Sequence, residues 1–310
     1  MFSVIFPGQG SQIVGMGKDL YLKFPIVKNL FEEADEILNF PISKTILEGP
    51  KDQLNLTENT QPAIFLVGYS IFQLIKNEFN IDLNKAKFFA GHSLGEYTAL
   101  ALTDCLNFSQ TLKILKKRGN AMQSAVPKGE GSMLAILGSS LAEIEKIIEE
   151  NKKKYECFIA NDNSEGQVVA SGKINDIDKF SLDLKSKNIK NIKLSVSAPF
   201  HCNLMKKATE IMSKEIENLE FKNPKNILIS NVTGEEISDP NLIKNLLIQQ
   251  IESRVRWRES VLLMIKKGTT EFIEIGPGKV LSGLIKRIDK NVKVSAINTE
   301  EDIKLININE

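Results

Sequence analysis

Histidine, cysteine and tryptophan are scarce in this 310-residue sequence: two, three and one residue respectively. With only His92 and His201, a histidine-rich metal centre is not expected. Cys105, Cys157 and Cys202 are odd in number, widely spaced and form no C-x-x-C pair, so neither a disulfide framework nor a zinc site is indicated. No apolar run approaches the length of a bilayer span, which argues against a membrane protein. An excess of one charge is missing too. Lys plus Arg number 40 against 39 for Asp plus Glu, so the chain lacks the bulk field that would gather nucleic acid or anionic lipid. Any basic recognition patch must be local. The start, "MFSVIFPGQG", is a strand-like apolar run with no basic segment before it and no cleavage site after it. A cytoplasmic protein is expected, or an organellar one if a transit peptide has been removed.

What is present is an ordinary globular composition, 42% hydrophobic and 25% charged, enough to bury a large core. Strand-like runs ("FSVIF", "KFFAG", "NILISNV", "TEFIEIG") alternate with helix-like ones, residues 61–77 and 96–102 among them. Such alternation predicts a mostly parallel sheet covered by helices, an α/β fold. The middle of the chain keeps a different rhythm. From "GSMLAILG" to "IKNIKLSVS" it spells β-α-β-β-α-β, the pattern of a small four-stranded unit. Residues 125–197 therefore read as an insertion in a larger domain made of 1–124 and 198–310. The polar tail past residue 300 is expected to fray.

"AGHSLGEYTAL" places Ser93 between Gly91 and Gly95, where an apolar strand gives way to a helix. In a nucleophile elbow, G-x-S-x-G puts a serine on such a turn, because glycines permit the strained backbone and the close helix–strand approach. The helix start also supplies free N–H groups and a positive dipole end for an oxyanion. The plainer alternative is that Ser93 caps the helix. A serine nucleophile needs a base. His92 adjoins Ser93, and neighbouring side chains diverge at a sharp turn, so His201 in "SAPFHCNLM" is the base by elimination. "PGQGSQIVGMG" is not G-x-G-x-x-G and "EIGPGKVLSG" lacks the first glycine of a Walker loop, so no nucleotide cofactor is proposed. "PGQG" instead offers N–H groups at a strand end, a natural second half of an oxyanion hole.

Two helical positions break their own pattern. Arg118 falls on the apolar side of the helix that carries Thr111, Ile114, Leu115, Ala121 and Met122. A guanidinium there requires an anionic partner or a snorkelling path: either an Asp or Glu of this chain, or a substrate carboxylate held bidentately. Gln250 lies at the centre of the stripe Ile243, Leu246, Leu247 and Ile251. Once buried, its amide must be bonded, either to backbone or to the imidazole it would orient.

"FPGQGSQ", "AGHSLGEYTAL", "RGNAMQ", "SAPFHCNLM", "NVTG" and "EIGPGKVLSGLIKR", in this order and spacing, closely resemble the malonyl-CoA:acyl carrier protein transacylases of fatty-acid synthesis. The resemblance covers nearly the whole chain. It implies an α/β-hydrolase-like large domain with an inserted ferredoxin-like small domain. It also implies Ser93 as the acylated nucleophile and His201 as its base, with the N–H groups of Gln9 and Leu94 forming the oxyanion hole. Arg118 would pair with the malonyl carboxylate, and Gln250, Asn161, Met122 and Phe200 would line the site. The implied partners are malonyl-CoA and a phosphopantetheinylated acyl carrier protein, acting on a monomer without metal or cofactor. Carrier proteins are acidic, so Lys279, Lys286 and Arg287 are nominated as a docking rim. Arg254 and Arg256 depart from the family's usual residues. Rival readings are a polyketide-synthase acyltransferase acting in trans, a serine esterase or thioesterase, which needs an acidic partner for His201, and a carrier-binding module, which needs no Ser93–His201 pair.

Overall fold

The computed structural model describes residues 1–196 and 198–307. Residue 197, the expected end of the insertion, lies outside the described residues, as do 308–310. Ten strands occur among the described residues: β1 (Phe2–Phe6), β2 (Phe88–Gly91), β3 (Gly131–Leu137), β4 (Cys157–Ser164), β5 (Gln167–Lys173), β6 (Lys190–Lys193), β7 (Ile227–Ile229), β8 (Glu236–Ile237), β9 (Glu271–Ile275) and β10 (Lys293–Ile297). Six of them form one sheet in the order β10-β9-β1-β2-β7-β8, parallel except for the β7–β8 pair. This is the mostly parallel α/β sheet that the alternation of runs predicts. Every residue of β1 and of β2 is buried, as central parallel strands covered on both faces require. Ser3, the one polar residue of β1, is satisfied by Thr269 Oγ1 at 2.8 Å.

The other four strands form an antiparallel sheet in the order β4-β5-β3-β6, the pairing of a split βαβ unit. Its helices, Leu141–Glu150 and Ile174–Ser186, bury Ile144, Ile147, Ile177, Phe180 and Leu184 in a core separate from that of the large sheet. β4 ties the small sheet to the large one. Asp162 N donates to Val255 O and Val255 N to Ala160 O, each at 2.9 Å. The fully buried Asp162 carboxylate pairs with Arg258 at 3.0 Å. Two register irregularities in β4, at Ile159/Asn161 and Asp162/Ser164, re-aim its side chains beside this junction.

Helix Phe108–Ser124 crosses helix Thr57–Glu78 closely. A Cβ on Gly119 would stand 2.5 Å from Thr57 O, so glycine is what lets Arg118 reach Gln61 on the facing helix. The tail corrects an expectation: Glu300–Lys304 is helical, closed by a Thr299–Asp302 capping box and tied to Lys23 through Glu300. No helix among the described residues is long and apolar enough to cross a membrane.

Candidate active site

The site begins at the carboxyl edge of β2. A Cβ on Gly91 would stand 2.0 Å from Gly95 C, and one on Gly95 would stand 2.3 Å from Phe6 O. Both positions therefore exclude any side chain, and the two glycines press helix Leu94–Leu102 against β1 and β2. The turn drives Ser93 to φ 54, ψ −107, a conformation costly for a residue with a Cβ. Ser93 stands at the helix N-cap, yet its hydroxyl makes no capping bond. Ser93 Oγ faces His201 Nε2 at 2.9 Å instead. The plain capping role is thereby excluded by geometry.

His201 Nδ1 lies 2.9 Å from the main-chain carbonyl of Gln250. A carbonyl only accepts, so Nδ1 carries the proton and Nε2 of the neutral ring is free to accept from Ser93. Burial, with the nearby Arg118 charge second, pulls the imidazole down to about 3, so it is neutral at physiological pH. His92 takes a separate role, its Nε2 2.9 Å from Asn163 Oδ1 of β4, and burial lowers it as well.

Arg118 is 1% exposed. Its hydrogen bonds go to neutral groups: NH1 donates to Gln61 Oε1 at 2.8 Å, and NH2 to Gln250 Oε1 at 2.7 Å and Ser93 Oγ at 3.1 Å. Its Nε has no partner among the described residues. Of the two readings of this arginine, an ion pair within the chain is absent among these contacts. A buried cation with an unused donor stands one hydrogen bond from the serine.

Of the two partners open to the Gln250 amide, backbone and imidazole, the structure shows the first: Nε2 donates to Ser93 O (3.2 Å) and also to Glu96 Oε2 (2.7 Å), while the backbone carbonyl of Gln250 orients His201. The reason is position: Gln250 is the C-cap of helix Pro240–Gln249, where the carbonyl is free of the helix ladder.

A cavity of about 100 Å³ opens at Ser93 and His201. Gln9, Leu94, Arg118, Met122, Asn161 and Phe200 all line it, so the structure brings these six together around one space. Leu94 is the first residue of its helix, and its N–H is one the helix does not use. The three docking candidates lie on one helix, Lys279 at its N-cap and Lys286 and Arg287 in its last turn. Lys279 follows Gly278, which abuts the Ser11 turn. Lys286, near the other end of helix Val280–Ile288, donates to Val292 O at 2.6 Å, and Arg287 to Gln167 of the small sheet. Arg254 and Arg256 are committed as well, to Glu145 at 2.7 Å and Glu259 at 2.9 Å.

Four residues around the site have no place in the sequence reading: Gln61, Glu96, Asn163 and Asn231. Glu96 carried a signal, a lone carboxylate in the otherwise uncharged run "LGEYTALAL". Asn231 lies two residues past the end of β7, and its Oδ1 takes the Ser93 N–H at 2.6 Å.

A serine on a glycine-bounded elbow, an imidazole held in one tautomer and a fixed cation beside them define a class of serine-dependent acyl-handling α/β proteins. Within that class, the chain belongs to the acyl transferase domain family, matched over residues 3–302. It is 41% identical over 303 residues to a malonyl CoA-acyl carrier protein transacylase of Bacillus subtilis (strain 168), covering 97% of this chain and 94% of that one. An acyl-carrier-protein-S-malonyltransferase from Bartonella henselae superposes with TM-score 0.95 at 41% identity, over 98% of this chain and 97% of that one. A malonyl-transacylase solved in complex with its type II polyketide-synthase acyl-carrier protein superposes with TM-score 0.94 at 34% identity, over 98% and 97%.

Proposed function

We propose that the chain transfers a malonyl group from malonyl-CoA to the phosphopantetheine thiol of an acyl carrier protein, through a malonyl ester on Ser93. His201 Nε2 takes the Ser93 proton as Oγ attacks the thioester carbonyl, and the N–H groups of Gln9 and Leu94 receive the oxyanion. The C–S bond then breaks and the CoA thiolate leaves with the proton held by His201. The carrier thiol repeats the sequence in reverse, attacking the ester and returning Ser93. Met122, Asn161 and Phe200 would shape the space for the short acyl chain.

The observation that carries the malonyl reading is Arg118: a buried guanidinium 3.1 Å from Ser93 Oγ, bonded only to neutral partners and with Nε unused. An acyl chain ending in a carboxylate supplies the directly bonded anion that Arg118 lacks; a simple ester does not. The absence of a carboxylate on His201 Nδ1 disfavours the hydrolase rival. The test is transfer of labelled malonyl and labelled acetyl from their CoA esters to a phosphopantetheinylated carrier protein. Malonyl transfer in large excess supports the reading, and equal transfer of both contradicts it.

The client we infer is the carrier of fatty-acid synthesis. A polyketide-synthase carrier is the second reading, favoured by the likeness to the transacylase solved with such a carrier. Rates measured with both carrier types separate the two. We further propose that 1–124 with 198–310 act as the catalytic domain and 125–197 as a small ferredoxin-like inserted domain, in a monomeric cytoplasmic protein. Its three buried free thiols are in keeping with a reducing compartment. Lys279, Lys286 and Arg287, all exposed, remain the docking rim we propose.

A further inference from the structure

One oxygen atom holds both ends of the Ser93 peptide. Glu96, one helical turn beyond the serine, is 2% exposed, and its Oε2 accepts from Gln250 Nε2 at 2.7 Å and from Asn231 N at 3.1 Å. Those two residues flank the elbow. Asn231 Oδ1 accepts the Ser93 N–H at 2.6 Å while its Nδ2 donates to Gly91 O at 2.7 Å. Gln250 Nε2 donates to the Ser93 carbonyl at 3.2 Å, and its Oε1 accepts from Arg118 at 2.7 Å.

From this arrangement we infer that Glu96 is a positioning residue of the acyl transfer, whose ionised carboxylate fixes the orientation of the Gln250 amide and, with Asn231, the strained backbone of Ser93. The argument is one of donors and acceptors. An ionised carboxylate only accepts, so Gln250 must turn its NH2 toward Glu96 and its oxygen toward Arg118. A protonated carboxyl can donate instead, which lets the amide flip, points its NH2 at the guanidinium and releases Arg118 from its place beside Ser93 Oγ. The same Gln250 carries the carbonyl that holds His201 Nδ1, so one anchor serves nucleophile, base and cation.

The charged and titratable groups facing Glu96 are Arg118 from helix Phe108–Ser124, Tyr97 on its own helix and, beyond Gln250, His201. Burial raises Glu96 to about 7, opposed by the Asn231 and Gln250 bonds and by Arg118. Tyr97 is pushed by burial to about 12 and His201 to about 3, so neither titrates near neutrality.

The inference rests on Ser93 being the nucleophile, and its test reads that nucleophile without needing the acyl substrate. The second-order rate of Ser93 labelling by an uncharged fluorophosphonate is followed from pH 5 to 9 in the wild type, Glu96→Gln and Glu96→Asp, with thermal unfolding of each. The expected wild-type rate rises through a limb near pH 7. Glu96→Gln should be at least tenfold slower at pH 8, with the limb gone, while Glu96→Asp keeps a limb. A Glu96→Gln rate within twofold of wild type overturns the inference. So does a slower rate with the limb intact, because packing damage alone would produce it. Should Glu96→Gln not fold, Glu96→Asp decides: a displaced limb supports the inference and an unmoved one overturns it. Failure of the wild type to label at Ser93 removes the nucleophile itself, whereas labelling without transfer to a carrier protein removes only the malonyl-transfer reading.

Discussion

Ser93 and His201 share an uncommon backbone state as well as a hydrogen bond. Six described non-glycine residues have positive φ; four are Asn or Asp, whose side chains tolerate it, and the other two are Ser93 (φ 54) and His201 (φ 59). These two meet at 2.9 Å, Oγ to Nε2. Ser93, with ψ −107, also lies outside the left-handed helical region, so backbone strain of about 1–3 kcal/mol falls on the nucleophile, held by the surrounding network.

Removing either partner should abolish chemistry and leave the fold intact. Ser93→Ala or His201→Ala is expected to lower malonyl transfer by roughly 10⁴- to 10⁶-fold, and the double variant by little more, because the two act as a unit. Steady-state transfer rates of the three variants check this; additive losses would contradict it.

Gly91→Ala and Gly95→Ala should each fail for steric reasons. The added methyl would meet backbone at 2.0 Å and 2.3 Å, with no flexible side chain to yield. Both variants are expected to lose activity together with a lowered Tm, unlike Ser93→Ala. A fully active Gly95→Ala would mean that the helix does not press on β1 as described.

Arg118→Ala separates recognition from catalysis. Loss of a hydrogen-bonded charge partner for the malonyl carboxylate costs about 1.5–3 kcal/mol, so kcat/KM for malonyl-CoA should fall roughly 10- to 150-fold. Acetyl-CoA, which has no carboxylate to pair, should be used no worse than by the wild type. Equal losses on both substrates would assign Arg118 a structural role alone.

Stability should carry opposite pH signatures from two buried titratable groups of the site, His201 and Glu96. His201 is depressed from 6.5 to about 3, so between these values the unfolded chain binds a proton that the folded one does not. Stability from this group is full above pH 6.5 and drains away as pH falls toward 3. Glu96 is raised from 4.5 to about 7, so the folded chain keeps a proton that the unfolded chain releases. Its contribution is full below pH 4.5 and is lost as pH rises through 7. Urea midpoints across pH 4–8 should therefore show Glu96→Gln gaining on the wild type at pH 8, and His201→Gln flattening the acid arm. A Glu96→Gln protein with the wild-type pH dependence would contradict the assignment.

The sequence made the elbow legible because its causes are local. Two glycines, an apolar strand and a helix lie within fifteen residues, and the βαββαβ order needs only the succession of periodic runs. Arg118 was legible through its misfit on an apolar face. Gln250 was legible as buried but not as to what its amide met, since Ser93, Glu96 and Arg118 arrive from elements more than a hundred residues away in chain. Gln61 gave no signal and Asn231, though it opens the "NVTG" motif, no role: a polar residue after a short strand or on a buried helix matches many roles until partners are fixed in space. The tail misled for a plain reason. "TEED" is polar enough to read as frayed, yet it supplies both halves of a capping box.

The most direct test of the account is the intact mass of the protein after brief mixing with malonyl-CoA, followed by peptide mapping and a chase with phosphopantetheinylated carrier protein. The account predicts one malonyl adduct, on Ser93, stable to buffer and discharged by the carrier thiol. An adduct elsewhere, no adduct, or one lost as quickly to water as to the carrier would contradict it.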